Sequence, residues 1–284
     1  MPLSRLCAPE TLRASSRPAL VVGHPGHELR VFGWMSEYRP RVYVVTDGSG
    51  HHGVSRVPST ARLIGGLDAE PGEIFGLMSD AEIYRAILEK DCSLFLNIAD
   101  AIASSFLRNR IDFVAGDATE GFNPTHDICR TLVNAAVLMT QRATGEPISN
   151  FEFCLTEWQQ DCETSHGGRC LHFSLDDELL FQKLNAAEDY VELRDEVRQG
   201  IAKRGKEYFR IECLREISEP MLPNQNPGIP FYESWGEERV SAGKYGSVIR
   251  LKEHMLPISE AIWNHASCVS IDAPSSESCT DIWL

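Results

Sequence analysis

Two short β-branched runs near the start, "PALVVGH" at 18–24 and "RVYVVTDGSG" at 41–50, constrain the fold most. Each is apolar throughout and ends at glycine, the signature of a strand buried on both faces of a parallel sheet rather than of a half-exposed hairpin. Between them "HELRVFGWMSE" (27–37) carries apolar residues at helical spacing, so residues up to 50 read as one β-α-β unit. Such a unit cannot bury its surfaces alone. It calls for more parallel strands and for helices on both faces, and 284 residues with 43% hydrophobic content suffice to supply them.

The remaining chain continues in this style. Residues 51–78 are rich in Gly and Pro without periodicity and read as a long loop over the strand ends. Helices are expected at 80–91 and 94–110, and a buried strand at "IDFVAGD" (111–117). A further helix is expected at 123–144, opened by the Asn-Pro cap and first-turn pair. Strands at 150–157 and 169–175, helices at 176–188 and 191–204 and an extended 207–217 follow. The Pro-rich 219–236 reads as loop, and a last helix over 246–263 is interrupted by Pro257. The expected class is α/β, Rossmann-like, with a mostly parallel sheet. One domain over 1–284 is the expected organisation, with loose ends at 1–16 and 268–284.

A net charge of −14 disfavours polyphosphate backbones and anionic lipid, and no apolar run reaches the length of a bilayer span, so neither nucleic acid nor membrane is an expected partner. The start of the chain lacks the apolar core of a secretory signal, which points to the cytoplasm. Nine scattered cysteines without a C-x-x-C pair argue against a disulfide framework and against a thiolate zinc site; Cys162 and Cys170 would pair only in an oxidising compartment. Composition leaves the oligomeric state open, a homo-oligomer included.

In an open parallel sheet, ligands bind beyond the carboxyl ends of the strands. His24 and His27 stand at one such corner, after the first strand, and His126 stands at a second, in the first turn of the helix that follows "IDFVAGD". Three imidazoles from two loops suit Zn²⁺, which takes neutral imidazole nitrogen at about 2.0–2.1 Å and keeps one position open in catalytic sites. Spacing alone is equally compatible with ordinary helix-cap and first-turn histidines.

The stretch "ALVVGHPGHELRVFGWMSEYRPRVYVVTDGSG" resembles the opening of the PIG-L/LmbE-like zinc N-deacetylases, whose first strand ends in Ala-His-Pro-Asp-Asp-Glu and whose second ends in a Thr-x-Gly turn. "NPTH" (123–126) is similar to their second motif, His-Pro-Asp-His. The resemblance runs loosely over 17–260. It implies an LmbE-like fold and Zn²⁺ held by His24, by His27 in place of the usual second Asp, and by His126. It also implies an altered acid/base apparatus. Gly26 stands where the family keeps its general-base Asp, Thr125 replaces the Asp of the second motif, and Asn123 replaces its first His.

A His₃ zinc site can compensate in part, since it brings a zinc-held water to a pKa of about 7. The proton for a leaving amine still needs a donor. Asp117, at the end of the strand leading to His126, is the first choice. It also suits a turn cap, and Asn123 suits either an oxyanion donor or an N-cap. Glu28 is expected to support the first corner by hydrogen bonding; Asp47, Glu120 and His254 are further supporting or substrate-contacting candidates. His51 and His52 read as loop or cleft residues, while Phe231, Tyr232 and Trp235 suit stacking on sugar rings or packing within a loop. The expected activity is removal of an acetyl or formyl group from the nitrogen of an amino sugar or glycoconjugate. The alternatives are a metal-binding protein acting as carbohydrate-binding or scaffold subunit, or another transfer on a sugar amine.

Overall fold

The structure, a computed structural model, describes residues 16–50, 53–156, 169–217, 228–268 and 271. The expected loose ends fall almost wholly outside these residues, as do Cys162, His51, His52 and residues 219–227 of the Pro-rich stretch. No described helix is long and apolar enough to cross a membrane.

The first unit forms as the sequence dictates: β1 (Pro18–Val22), a short 3₁₀ turn (His27–Val31), α1 (Phe32–Tyr38) and β2 (Arg41–Thr46). Next come α2 (Val57–Gly66), β3 (Glu70–Met78), α3 (Asp80–Glu89), α4 (Cys92–Asn109), β4 (Phe113–Asp117), α5 (Pro124–Thr144) and β5 (Ser149–Phe153). The last elements are β6 (Cys170–Ser174), α6 (Asp177–Asp189), α7 (Arg194–Arg204), β7 (Ile211–Glu216), α8 (Phe231–Ser241) and α9 (Leu256–Cys268). The strands make one sheet in the order β3-β2-β1-β4-β5-β7-β6. It is parallel from β3 to β5, whereas β7 runs antiparallel to both β5 and β6.

Strand alternation divides the core between the two faces. Ala19, Val21, Tyr43 and Val45 pack with α3, α4, α5 and α9, while Leu20, Val22, Val42 and Val44 pack with Trp34, Met35 and Ile64 from α1 and α2. Helices therefore cover both faces, the α/β arrangement expected.

Residues 51–78 depart from expectation, since they hold α2 and β3 rather than a bare loop. Pro58 at the start of α2 lacks only a donor the first turn leaves unpaired. β3 tolerates Pro71, Gly72 and Gly76 because it is an edge strand, and its pairing with β2 shifts register twice. Gly72 is required there, because a Cβ would lie 2.4 Å from the Tyr43 ring. A second departure is α8, which takes up residues 231–236 of the stretch read as loop, with Pro230 as its N-cap. A third is the last helix, which starts with a π turn (Leu251–Met255) so that Pro257 falls in the first turn of α9 instead of breaking it.

Candidate metal centre

Strand order reverses between β1 and β4: from β1 the chain moves outward to β2 and β3, from β4 outward to β5. That switch point opens a crevice at the carboxyl edge of the sheet. The loop after β1 brings His24 and His27 to it, and the first turn of α5 brings His126. The three rings meet edge to face, with centroids 5.3 Å apart for His24 and His27, 5.1 Å for His24 and His126, and 4.5 Å for His27 and His126. Imidazoles on a tetrahedral zinc, with bonds of about 2.0–2.1 Å, have centroids about 5 Å apart.

Two of the rings are oriented by buried carboxylates. His24 Nδ1 lies 3.0 Å from Asp80 Oδ1 and 2.8 Å from Thr46 Oγ1. His27 Nδ1 lies 2.9 and 3.0 Å from the two oxygens of Asp117. A carboxylate on Nδ1 keeps the proton there and leaves the Nε2 lone pair for a cation. His24 Nε2 and His126 Nδ1 are both buried without a hydrogen-bond partner, a loss of about 1–3 kcal/mol for each such group unless something binds it. Burial, reinforced by His27 and His24, holds the His126 imidazole well below its usual pKa and so keeps it neutral. The donor set, the neutral ring and the orphaned nitrogens suit a divalent cation in chemistry, while the three ring nitrogens do not all lie within 4.8 Å of one another and would have to draw together around it.

Asp80, at the start of α3, was not among the expected site residues. Burial pushes its carboxyl up, but the hydrogen bond and charge of His24, with help from Thr46 and Gly50, outweigh this and hold it well below the carboxylate range. Asp117, expected as proton donor, lies away from the crevice. It is fully buried behind His27, and Oδ2 also accepts the Gly23 amide at 2.7 Å, so it positions a ring instead of facing the crevice. Asn123 is the N-cap of α5, accepting the Thr125 amide at 2.8 Å.

Glu28 supports the first corner from beneath. It is fully buried, accepts the Gly26 amide at 2.7 Å and the Thr60 hydroxyl at 2.6 Å, and Thr60 in turn meets the Tyr190 hydroxyl at 2.8 Å. Asp47 instead closes its own turn by accepting the Ser49 amide, and Glu120 accepts the amides of Leu155 and Thr156 to hold the chain after β5. His254 Nδ1 accepts the Arg250 amide within its own π turn, a local capping contact. Asp127, next to His126, caps the Glu120–Gly121 loop, and burial pushes its carboxyl up to about 7.

Gly26 has a structural reason for being glycine. Its φ of +106° is strained for any side chain, and a Cβ would lie 2.3 Å from Leu193 Cδ1. The space beside Gly26 is thus filled by Leu193 from the α6–α7 connection. Beside Asp80 and Asn123 opens a cleft of about 680 Å³ lined by Tyr84, Phe122, Phe231 and Trp235 among others. The last three form a stacked column, with centroids 5.1 and 5.9 Å apart, capped by Arg239 4.0 Å above the Trp235 ring.

No protein-family model matches the sequence, and no curated protein sequence matches it significantly. Solved structures do. The zinc-inhibited form of teicoplanin deacetylase Orf2 superposes with a TM-score of 0.50 at 14% identity, covering 71% of this chain and 97% of that one. A deacetylase–bog complex from the biosynthesis pathway of teicoplanin gives the same TM-score and coverage at 16% identity. The expected architecture and the observed sheet thus meet in one conclusion: this chain has the fold of the LmbE-like deacetylases.

Proposed function

We propose that the chain is a zinc-dependent hydrolase that removes an acetyl or formyl group from the nitrogen of an amino sugar or sugar-linked metabolite. One observation carries this reading: two buried imidazoles and a partly buried third converge at the sheet's switch point, two of them anchored on carboxylates, with unpartnered nitrogens among them. His24, His27 and His126 would hold the cation. Zn²⁺ bound there supplies a Lewis acid for the amide carbonyl and lowers the pKa of water. Asp80 and Asp117 fix the rings, which preserves geometry between ground and transition state. The aromatic cleft beside Asp80 and Asn123 takes the sugar-bearing part of the substrate and keeps water from it. A soluble metabolite as substrate fits the cytoplasmic reading of the sequence.

The filled position at Gly26 favours a second reading, a metal-binding protein that holds a carbohydrate without cleaving it. Asp80 and Asp117 have their oxygens committed to His24, Gly50, His27 and Gly23, so neither is spare for proton transfer. Metal analysis of the purified chain, followed by amine release from N-acetyl and N-formyl sugars across a range of zinc concentrations, separates the two. Amine release that depends on metal supports the hydrolase. Bound zinc with saccharide binding but no amine release supports the second reading, and a chain that binds no divalent metal overturns both.

A further inference from the structure

The antiparallel half of the sheet carries a second cluster of metal-binding side chains. Among the described residues, the one group of three His, Cys or carboxylate donors lying within 4.8 Å of one another is not the imidazole cluster but Cys170, His172 and Cys213. Strand geometry puts them together. Cys170 and His172 are two apart on β6 and share a face, while Leu171 and Phe173 point into the core on the other. The β6–β7 register sets Cys213 opposite His172, which brings its sulfur to the same face. Backbone pairing, not loop conformation, fixes all three positions.

Two sulfurs and an imidazole nitrogen make a soft donor set that selects zinc over magnesium or calcium. Cys213 is disulfide-bonded, and the bond withholds its thiolate. We propose that Cys170, His172 and Cys213 form a redox-gated site for a soft divalent cation of the zinc type, closed while Cys213 is in its disulfide and open once that bond is reduced. A dithiol reductant opens it by exchange: the reductant gives two electrons and closes to its own cyclic disulfide, and the chain gains two thiols. Cation binding then releases one proton from each of the Cys170 and Cys213 thiols. A reducing compartment keeps the site open.

Cobalt reports on the site, because a thiolate bound to Co²⁺ gives a charge-transfer absorption in the near ultraviolet that imidazole ligands do not. The full-length chain, reduced with a dithiol and titrated anaerobically with Co²⁺, is expected to show this band and to bind one more equivalent per chain than the oxidised chain. His126→Ala is expected to retain the band, Cys170→Ser to lose it with an unchanged far-ultraviolet circular dichroism spectrum, and His172→Ala to bind the ion more weakly. A reduced, folded chain without the band overturns the proposal, as does a band of unchanged strength in Cys170→Ser. Either result is independent of whether the chain releases amine from any sugar.

Discussion

The imidazole cluster and the thiol-bearing cluster lie on two halves of one sheet and are built in opposite ways. In the parallel half the donors sit on loops beyond the strand ends, so their rings need bracing, and buried Asp80 and Asp117 brace the rings of His24 and His27 while buried Glu28 braces the loop between them. In the antiparallel half the donors sit within paired strands, and register alone aligns them. A site on loops can be tuned through the residues around it; a site on strands stands or falls with the sheet. That distinction can be tested.

The largest effect is expected at one of the proposed ligands. His126→Ala removes one of the three imidazoles, and amine release should fall by about 10³-fold or more, corresponding to the several kcal/mol a catalytic metal contributes. Metal content measured on the same preparation should fall with it. Retained activity would remove the parallel half from the comparison.

Next comes the brace between the halves. Glu212 of β7, neighbour of Cys213, is fully buried, pairs with Lys183 at 2.8 Å and accepts the amides of Gly33 and Trp34. Burial lowers the Lys183 ammonium, against the pull of Glu212. Lys183→Met strands the carboxylate and should cost about 3–5 kcal/mol in urea unfolding, with much of it recovered in a Lys183→Met, Glu212→Gln double variant. A loss within error would show that the halves are not mechanically joined there.

Smaller effects belong to the braces of the rings. Asp80→Asn and Asp117→Asn should each weaken metal binding by about 10–100-fold, read by competition with a chelating dye, with little change in thermal midpoint. Smallest is the change at the filled corner. Gly26→Ala should cost about 1–2 kcal/mol for its left-handed backbone, and adding Leu193→Ala relieves the contact but not the dihedral strain. Gly26→Asp is accordingly expected to give no rise in amine release. A rise would mean that the loop can turn and that Leu193 does not own the position.

Much of the parallel half is written locally. "PALVV", "RVYVVT" and "FVAGD" are continuous apolar runs that end where the strands end, and Asn123-Pro124 marks the start of α5. The converging histidines follow from those boundaries. What local pattern does not carry is pairing across distance. β3 is disguised by Pro71, Gly72 and Gly76, which only an edge strand packed over Tyr43 accommodates. Asp80 is 56 residues from the ring it orients. Its one local signal is the capping box of Ser79 and Glu82, which places a helix start, and hence Asp80, at the carboxyl edge. Cys213 is separated from His172 by two helices, so no spacing rule reveals them as neighbours.

The stacked column beside the cleft gives this chain an optical probe of its own. Trp235 is 39% exposed at the end of the column, whereas Trp34 is fully buried in the core. A saccharide bound in the cleft would displace water from the Trp235 indole and shift its emission against the background of the chain's four other tryptophans. Occupancy of the cleft can therefore be followed in the unlabelled protein, whether or not anything is cleaved there.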